Sequence, residues 1–328
     1  MGDFGSTIYE RGRKPRLFAS VSRVVLDRFL KGRTGSAHLE KVSRGDVLNL
    51  KDVFPREYQG GTDFEVPEFA FEPDSWSKAF MKGLMTFGKG GGFERKGVAE
   101  LGVGTGANVA LILSAFNPTK VFASDLNGEC TKLAARNIVH AVPSARDKFV
   151  PIAGDQNLGR WINGISEGAI DVVYGCLPQV VKASEIDLHE GDNVAHYYDP
   201  AQYPSERHHL GLGLNESALR QIHPLLPQGG TVILNLSGRP GKEAALEQMF
   251  RDCGYEPKLL HEEVIEQHSG TSLATLAAVE AHNGHRFEFF TSNLGSLGSQ
   301  ITATDAEERR LAGVKVYHKI YVIAGVKT

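Results

Sequence analysis

Four residues around position 100 combine an acid with regularly spaced glycines: Glu100, Gly102, Gly104 and Gly106, in the run ELGVGTGAN that ends at Asn108. The run closes an apolar stretch and opens a helical one. Glycines at such a junction permit a tight turn and let a ligand approach the backbone at a helix N-terminus. The spacing departs from the GxGxxG of dinucleotide-binding loops. A carboxylate at Glu100 suits a cationic ligand such as an amino-acid ammonium and is awkward beside a pyrophosphate. Asp125, in FASDLN at the end of the next apolar stretch, is placed to accept hydrogen bonds from both hydroxyls of a ribose. Asp155 ends a third stretch in the same manner.

These residues need a scaffold that brings successive strand ends together. Apolar runs at 97 to 103, 120 to 124, 148 to 153, 169 to 175 and 230 to 236 alternate with helical segments beginning near 106, 128, 157, 212 and 241. Such alternation predicts βαβ units and a mostly parallel, doubly wound sheet. The runs 285 to 292 and 314 to 326 are strand-like without a regular helix between them, which predicts an antiparallel C-terminal pair. Arg286 and Glu288 are expected to form an ion pair on one face of the first of these strands. Upstream, Leu17, Val21, Val24, Val25, Phe29 and Leu30 recur at helical spacing with basic residues opposite, predicting an amphipathic helix over 15 to 33. The aromatic, Pro- and Gly-containing stretch 54 to 74 reads as an ordered covering loop. The expected division is a helical N-terminal cap with its covering loop over 1–65 and a catalytic domain over 66–328.

The acid-glycine loop, followed by an acid after each of the next two strands, resembles the class I S-adenosylmethionine-dependent methyltransferases. The resemblance implies their Rossmann-like α/β fold, with the ligand beyond the carboxyl ends of the strands. It also implies a cofactor site made by Glu100 toward the methionine ammonium through the loop or water, and by Gly102, Gly104, Gly106 and Asn108. Asp125, Leu126 and Asn127 would meet the ribose, Asp155 and Gln156 the adenine, and Cys176 would border both ligands. Amide and base N-methyltransferases carry Asn/Asp-Pro-Pro-Tyr/Phe after the fourth strand, where this chain has Cys176-Leu177-Pro178-Gln179. A cysteine is a poor hydrogen-bond acceptor and Gln179 offers no stacking face, so a planar amino acceptor is disfavoured and an apolar or thioether acceptor is left.

A closer resemblance follows from ordered segments: VPEFAFEPDSWS (66 to 77), the glycine loop, GCLPQV (175 to 180), LGLGL (210 to 214), NLSGRPG (235 to 241) and HRFEFF (285 to 290). Together they resemble the methyltransferase domain of the methionine S-methyltransferases, and the chain's length suggests the stand-alone bacterial type associated with dimethylsulfoniopropionate synthesis. The resemblance implies L-methionine as the small-molecule acceptor and S-methylmethionine as product. A thioether carries no proton to remove, so no acid or base catalyst is expected, only alignment and exclusion of water. Aromatic faces stabilise an onium charge, which nominates Phe69, Phe71, Trp76, Tyr197, Tyr198 and Tyr203. Cys176, Pro178, Gln179 and Asn235 complete the expected acceptor wall, and Arg239 is nominated to clamp a substrate carboxylate, with a surface ion pair as its other reading. Two alternatives stay open: an N-methyltransferase acting on a protein glutamine or a small-molecule amine, and a non-catalytic S-adenosylmethionine-binding regulator.

Composition narrows the remaining classes. The chain has 328 residues, 36 Lys+Arg against 39 Asp+Glu and 41% hydrophobic residues, an ordinary globular balance without the basic excess of a nucleic-acid binder. Cys130, Cys176 and Cys253 are odd in number and lack CxxC spacing, which argues against a disulfide framework or cysteine-zinc site and suggests a reducing cytoplasm. His196, His208 and His209 form no ligand constellation, so no metal is expected. No apolar run suits a membrane helix. The N-terminal helix is the candidate element for a homodimer.

Overall fold

A computed structural model describes residues 50–61, 64–67, 70, 74–152, 169–181, 197–292 and 298–328. The amphipathic helix expected over 15 to 33, most of the N-terminal cap, Phe69, Phe71, Asp155, Gln156 and His196 lie outside the described residues.

The centre is a sheet whose parallel strands are β1 (Gly97–Leu101), β2 (Lys120–Ser124), β3 (Phe149–Ile152), β4 (Val172–Gly175) and β7 (Thr231–Ser237). All five expected apolar runs are therefore strands. Every residue of β1, β4 and β7 is buried, as strands covered on both faces require. In space the order is β3-β2-β1-β4-β7-β11, where β11 (Tyr317–Lys327) runs antiparallel to β7. Between β1 and β4 the chain direction of winding switches, the position at which open α/β sheets leave a crevice.

Helices cover both faces. On one side pack α2 (Ser75–Lys89), α3 (Ala107–Ala115) and α4 (Gly128–Ala141), burying Phe80, Leu84, Val109, Leu111 and Ile138 against the sheet. Opposite lie α5 (Gly213–Ile222), a π-helical segment Lys242–Glu247 and α6 (Gln248–Asp252), contributing Leu219, Leu246, Met249 and Phe250. The single turn α1 (Leu50–Val53) adds Leu50 to the first layer. Each site-bearing helix begins with a distinct device. Asp74 caps α2, Gly106 enters α3 in the left-handed region at φ 85°, and the Asn127 side chain caps α4.

The C-terminal region differs from expectation in detail. The principal partner of β11 on its outer edge is β8 (Tyr255–Glu266), whose charged sequence concealed it. The short β9 (Phe289–Phe290) meets β11 only at Tyr317, and pairs antiparallel with β10 (Gln300–Ile301). A regular helix, α8 (Ala303–Leu311), stands between the two terminal strands and packs with α7 (Ala274–Asn283) around Leu276, Phe287 and Ala306. Arg286 and Glu288 precede β9 rather than sharing a strand face, and no ion pair joins them among the described residues. Glu288 instead donates its amide to the Arg239 carbonyl at 2.8 Å. Two short strands, β5 (Val180–Val181) and β6 (Tyr197–Tyr198), form a separate parallel pair above β4.

Candidate active site

A cavity of about 640 Å³ opens at the carboxyl ends of β1, β2 and β4, where the sheet's winding switches. Its floor is the glycine loop. Gly102, Gly104 and Gly106 all have positive φ, at 73°, 50° and 85°, a conformation that a side chain would strain. At Gly104 an added Cβ would meet nothing within 4 Å, so the backbone there presents an open cradle. Gly106 serves packing instead, since a Cβ would fall 3.0 Å from the Ala134 Cβ on α4.

Asp125 joins this floor to the second strand. Its Oδ2 accepts from the Gly104 amide at 2.9 Å and its Oδ1 from the Asn127 amide at 2.9 Å, and both Leu126 and Asn127 line the cavity beside it. Glu100 does not face the cavity. It is 1% exposed and lies beneath the floor, where Asn108 donates from Nδ2 to one oxygen at 2.8 Å and the Tyr174 hydroxyl donates to the other at 3.2 Å. Burial pushes the Glu100 carboxyl up to about 8 against these bonds. Asn108 does line the cavity, so any influence of Glu100 on a ligand passes through Asn108 or the loop rather than by direct contact.

The acceptor-side residues converge on the same cavity. Trp76, Cys176, Pro178, Gln179, Arg239 and the three tyrosines 197, 198 and 203 all line it. Asn235 does not. It is fully buried behind the wall, donating from Nδ2 to the Trp76 carbonyl at 3.1 Å and to the Cys176 sulfur at 3.3 Å, and so ties the start of α2 to the end of β4. Gln179 combines lining with structure, because its Oε1 accepts from the Ser237 amide at 2.5 Å. The Tyr197 hydroxyl accepts from the Ser272 amide at 2.8 Å, and the Tyr198 hydroxyl from the Gly213 amide at 3.0 Å. Both rings are thereby fixed with their hydroxyls committed. Burial pushes the Cys176 thiol up to about 12, which keeps it protonated and non-nucleophilic at neutral pH. His208 turns toward the Tyr198 hydroxyl and His209 toward the Glu206 carbonyl, so the adjacent pair does not converge.

Arg239 is the most informative of these side chains. A surface ion pair is excluded, since the residue is only 4% exposed. Its Nε donates to the Ser237 hydroxyl at 2.7 Å and its Nη1 to Gln267 Oε1 at 3.4 Å, both neutral partners. No carboxylate pairs with it among the described residues. Desolvation lowers its pKa to about 10, and burial, with the Arg239 charge adding to it, holds His318 neutral at about 3. A buried guanidinium without a counter-charge is expensive unless a ligand supplies one.

Sequence reasoning missed Asp74, Gln267, His268 and Thr271, all of which line the cavity. Asp74 was visible as the cap preceding the apolar positions 79, 80, 81, 84 and 85. The others follow β8 and depended on finding that strand.

No family model matches the chain. Curated relatives do. The chain is 27% identical over 281 residues to the methionine S-methyltransferase of Zea mays, covering 80% of this chain and 25% of that protein. It is 26% identical over 348 residues to that of Arabidopsis thaliana, covering 96% of this chain and 31% of that protein. It thus spans about a quarter to a third of the length of these relatives. Among solved structures, the precorrin-6y C5,15-methyltransferase of Geobacter metallireducens aligns at a TM-score of 0.41 and 10% identity, covering 80% of this chain and 94% of that one. Phosphoethanolamine N-methyltransferase 2 of Haemonchus contortus, in complex with S-adenosyl-L-methionine, aligns at 0.38 and 14%, covering 75% and 52%. In sequence the chain is similar to the methionine S-methyltransferases, and its strand order is that of an open, doubly wound, mostly parallel α/β sheet with antiparallel edge strands.

Proposed function

We propose that the chain transfers a methyl group from S-adenosylmethionine to the thioether sulfur of L-methionine, giving S-methylmethionine and S-adenosylhomocysteine. The carrying observation is a single cavity that joins the glycine cradle to Cys176 and to the guanidinium of Arg239, which pairs with no carboxylate among the described residues, in a chain similar to methionine S-methyltransferases.

The residues present fit S-adenosylmethionine. Gly104 leaves space where a side chain would stand, and Asp125 keeps carboxylate lone pairs beyond its two amide bonds for a ribose. Asn108 supplies a polar contact backed by Glu100. S-adenosylmethionine supplies a methyl group on a sulfonium sulfur, and its passage to a thioether moves one positive charge from sulfur to sulfur with no proton released. This chain therefore needs no general base, and a Cys176 thiol that stays protonated is chemically consistent. Its residues orient and desolvate: Trp76 and the fixed rings of Tyr197 and Tyr198 offer electron-rich faces to an onium group, and Leu177 and Pro178 keep the Cys176 wall apolar. Arg239 holds the acceptor carboxylate.

Incubating purified protein with methyl-labelled S-adenosylmethionine and L-methionine decides the matter. Labelled S-methylmethionine is expected. Absence of a sulfonium product, in conditions where the protein binds S-adenosylhomocysteine, sinks the reading.

A further inference from the structure

Three described carboxylates face the cavity, those of Asp74, Asp125 and Asp199. Asp125 commits both oxygens to backbone amides. Asp199 commits one to the Ala201 amide and the other to the Gln202 side chain, and stands exposed. Asp74 is different. Its Oδ1 accepts from the Trp76 and Ser77 amides at 2.9 and 3.2 Å, whereas its Oδ2 takes no hydrogen bond among the described residues. No described basic side chain forms an ion pair with it. Burial holds its carboxyl above the ordinary value, opposed by the cap bonds and by the neighbouring His268. Asp74 lines the same cavity as Cys176, and Asn235 bonds both the Trp76 carbonyl two residues on and the Cys176 sulfur, which places Asp74 beside the wall at which the acceptor is expected.

Arg239 carries the complementary charge in the same cavity, again without an ionic partner among the described residues, and no ion pair joins it to Asp74. Opposite charges sharing one lined space normally neutralise each other when they can meet. Here both are held apart by fixed elements, Asp74 by its role as the cap of α2 and Arg239 by Ser237 and Gln267. A ligand that bears both charges satisfies both groups at once, and a partly buried carboxylate gains more from a cation than an exposed one does. We infer that Asp74 receives the α-ammonium of the acceptor while Arg239 receives its α-carboxylate, so that the cavity selects a free zwitterionic amino acid over other thioethers. This rests on the acceptor reading proposed above.

Two ligands separate the charges: L-methionine, and 4-(methylthio)butanoate, which lacks only the amino group. Equilibrium binding is measured by calorimetry in the presence of S-adenosylhomocysteine, and methyl transfer in parallel, for wild type and Asp74→Asn. Asparagine caps helices as well as aspartate does, so the variant should keep its melting temperature. Wild type should favour L-methionine by roughly 30-fold in Kd and KM, the range of a hydrogen bond between charged groups, and in Asp74→Asn that preference should fall to within about threefold. Wild type that binds both ligands equally overturns the inference without need of the variant. So does a variant that keeps the wild-type preference, or one that loses S-adenosylhomocysteine as severely as methionine, which assigns Asp74 to the donor's own ammonium. Preference for L-methionine in binding, lost in the variant, with no methyl transfer by either protein, leaves the zwitterion site standing and removes the enzymatic reading instead.

Discussion

Glu100 and Arg239 are an acidic and a basic group that the fold buries for different ends. Glu100 has hydrogen-bond donors but no cation beside it among the described residues, and burial pushes its carboxyl up to about 8, well above the ordinary 4.5. Between those values the unfolded chain is ionised while the folded one keeps its proton. The folded state's advantage is thus fully present below about 4.5 and is lost as pH rises through about 8. Melting temperatures measured from about pH 5 to pH 9 should fall more steeply for wild type than for Glu100→Gln, which has no proton to lose. Parallel slopes would show that Glu100 is not the group responsible. For Arg239, replacement by Ala should raise the KM for L-methionine by roughly 30-fold or more, about 2 kcal/mol, if it makes the charged carboxylate contact proposed above. The Kd for S-adenosylhomocysteine should change little. Arg239→Lys should recover only part of the loss, since a point charge does not reproduce the planar fork. Equal damage to both ligands would move Arg239 out of the acceptor site.

At the scale of elements, the approach of α2 to β11 is the contact most exposed to test. A Cβ on Gly83 would lie 2.4 Å from Val322 Cγ1, so the helix sits as close to the strand as a bare backbone permits. In an open helix Gly→Ala stabilises by about 1 kcal/mol. Here the sign should reverse, with Gly83→Ala costing about 1–3 kcal/mol in urea unfolding and Val322→Ala relieving part of that cost in the double variant. Additive effects of the two substitutions would contradict the close approach. What the sequence disclosed follows from burial. Central strands β1, β4 and β7 are buried at every residue and read as predominantly apolar runs, interrupted by Glu100 in β1 and Asn235 in β7. Strand β8 buries only Tyr255 and Ile265, is exposed or half-buried elsewhere and carries Lys258, His261, Glu262 and Glu263, so its pairing with β11 left no apolar signature. The glycine loop was legible because positive φ restricts the residue type, while Gln267, His268 and Thr271 reach the cavity only through the position of β8. Asn235 was placed in the right neighbourhood but at the wrong depth, because spacing along a strand locates a residue without saying which face it presents.

On the scale of the whole molecule, the two proposed ligands engage different sets of segments around one cavity. The donor side is contiguous with the parallel core: the loop after β1, the end of β2 and the start of α4. The acceptor side gathers segments distant in sequence, namely the cap of α2, the ends of β4 and β7, the β6 pair and the turn after β8. Anything that binds only the folded state stabilises it by mass action, about 2.7 kcal/mol at a hundredfold excess over Kd. That gain should appear as hydrogen-exchange protection in the segments each ligand touches. S-Adenosylhomocysteine should therefore protect residues 102 to 108 and 124 to 130 first. L-Methionine added afterwards should extend protection to 74 to 77, 237 to 239 and 267 to 272, segments joined in space by the Asn235, Ser237 and Gln267 hydrogen bonds and not by the chain. Should methionine instead deepen protection only at the glycine loop, the acceptor would share the donor's subsite, and the division of the cavity drawn from Arg239 and Asp74 would not hold.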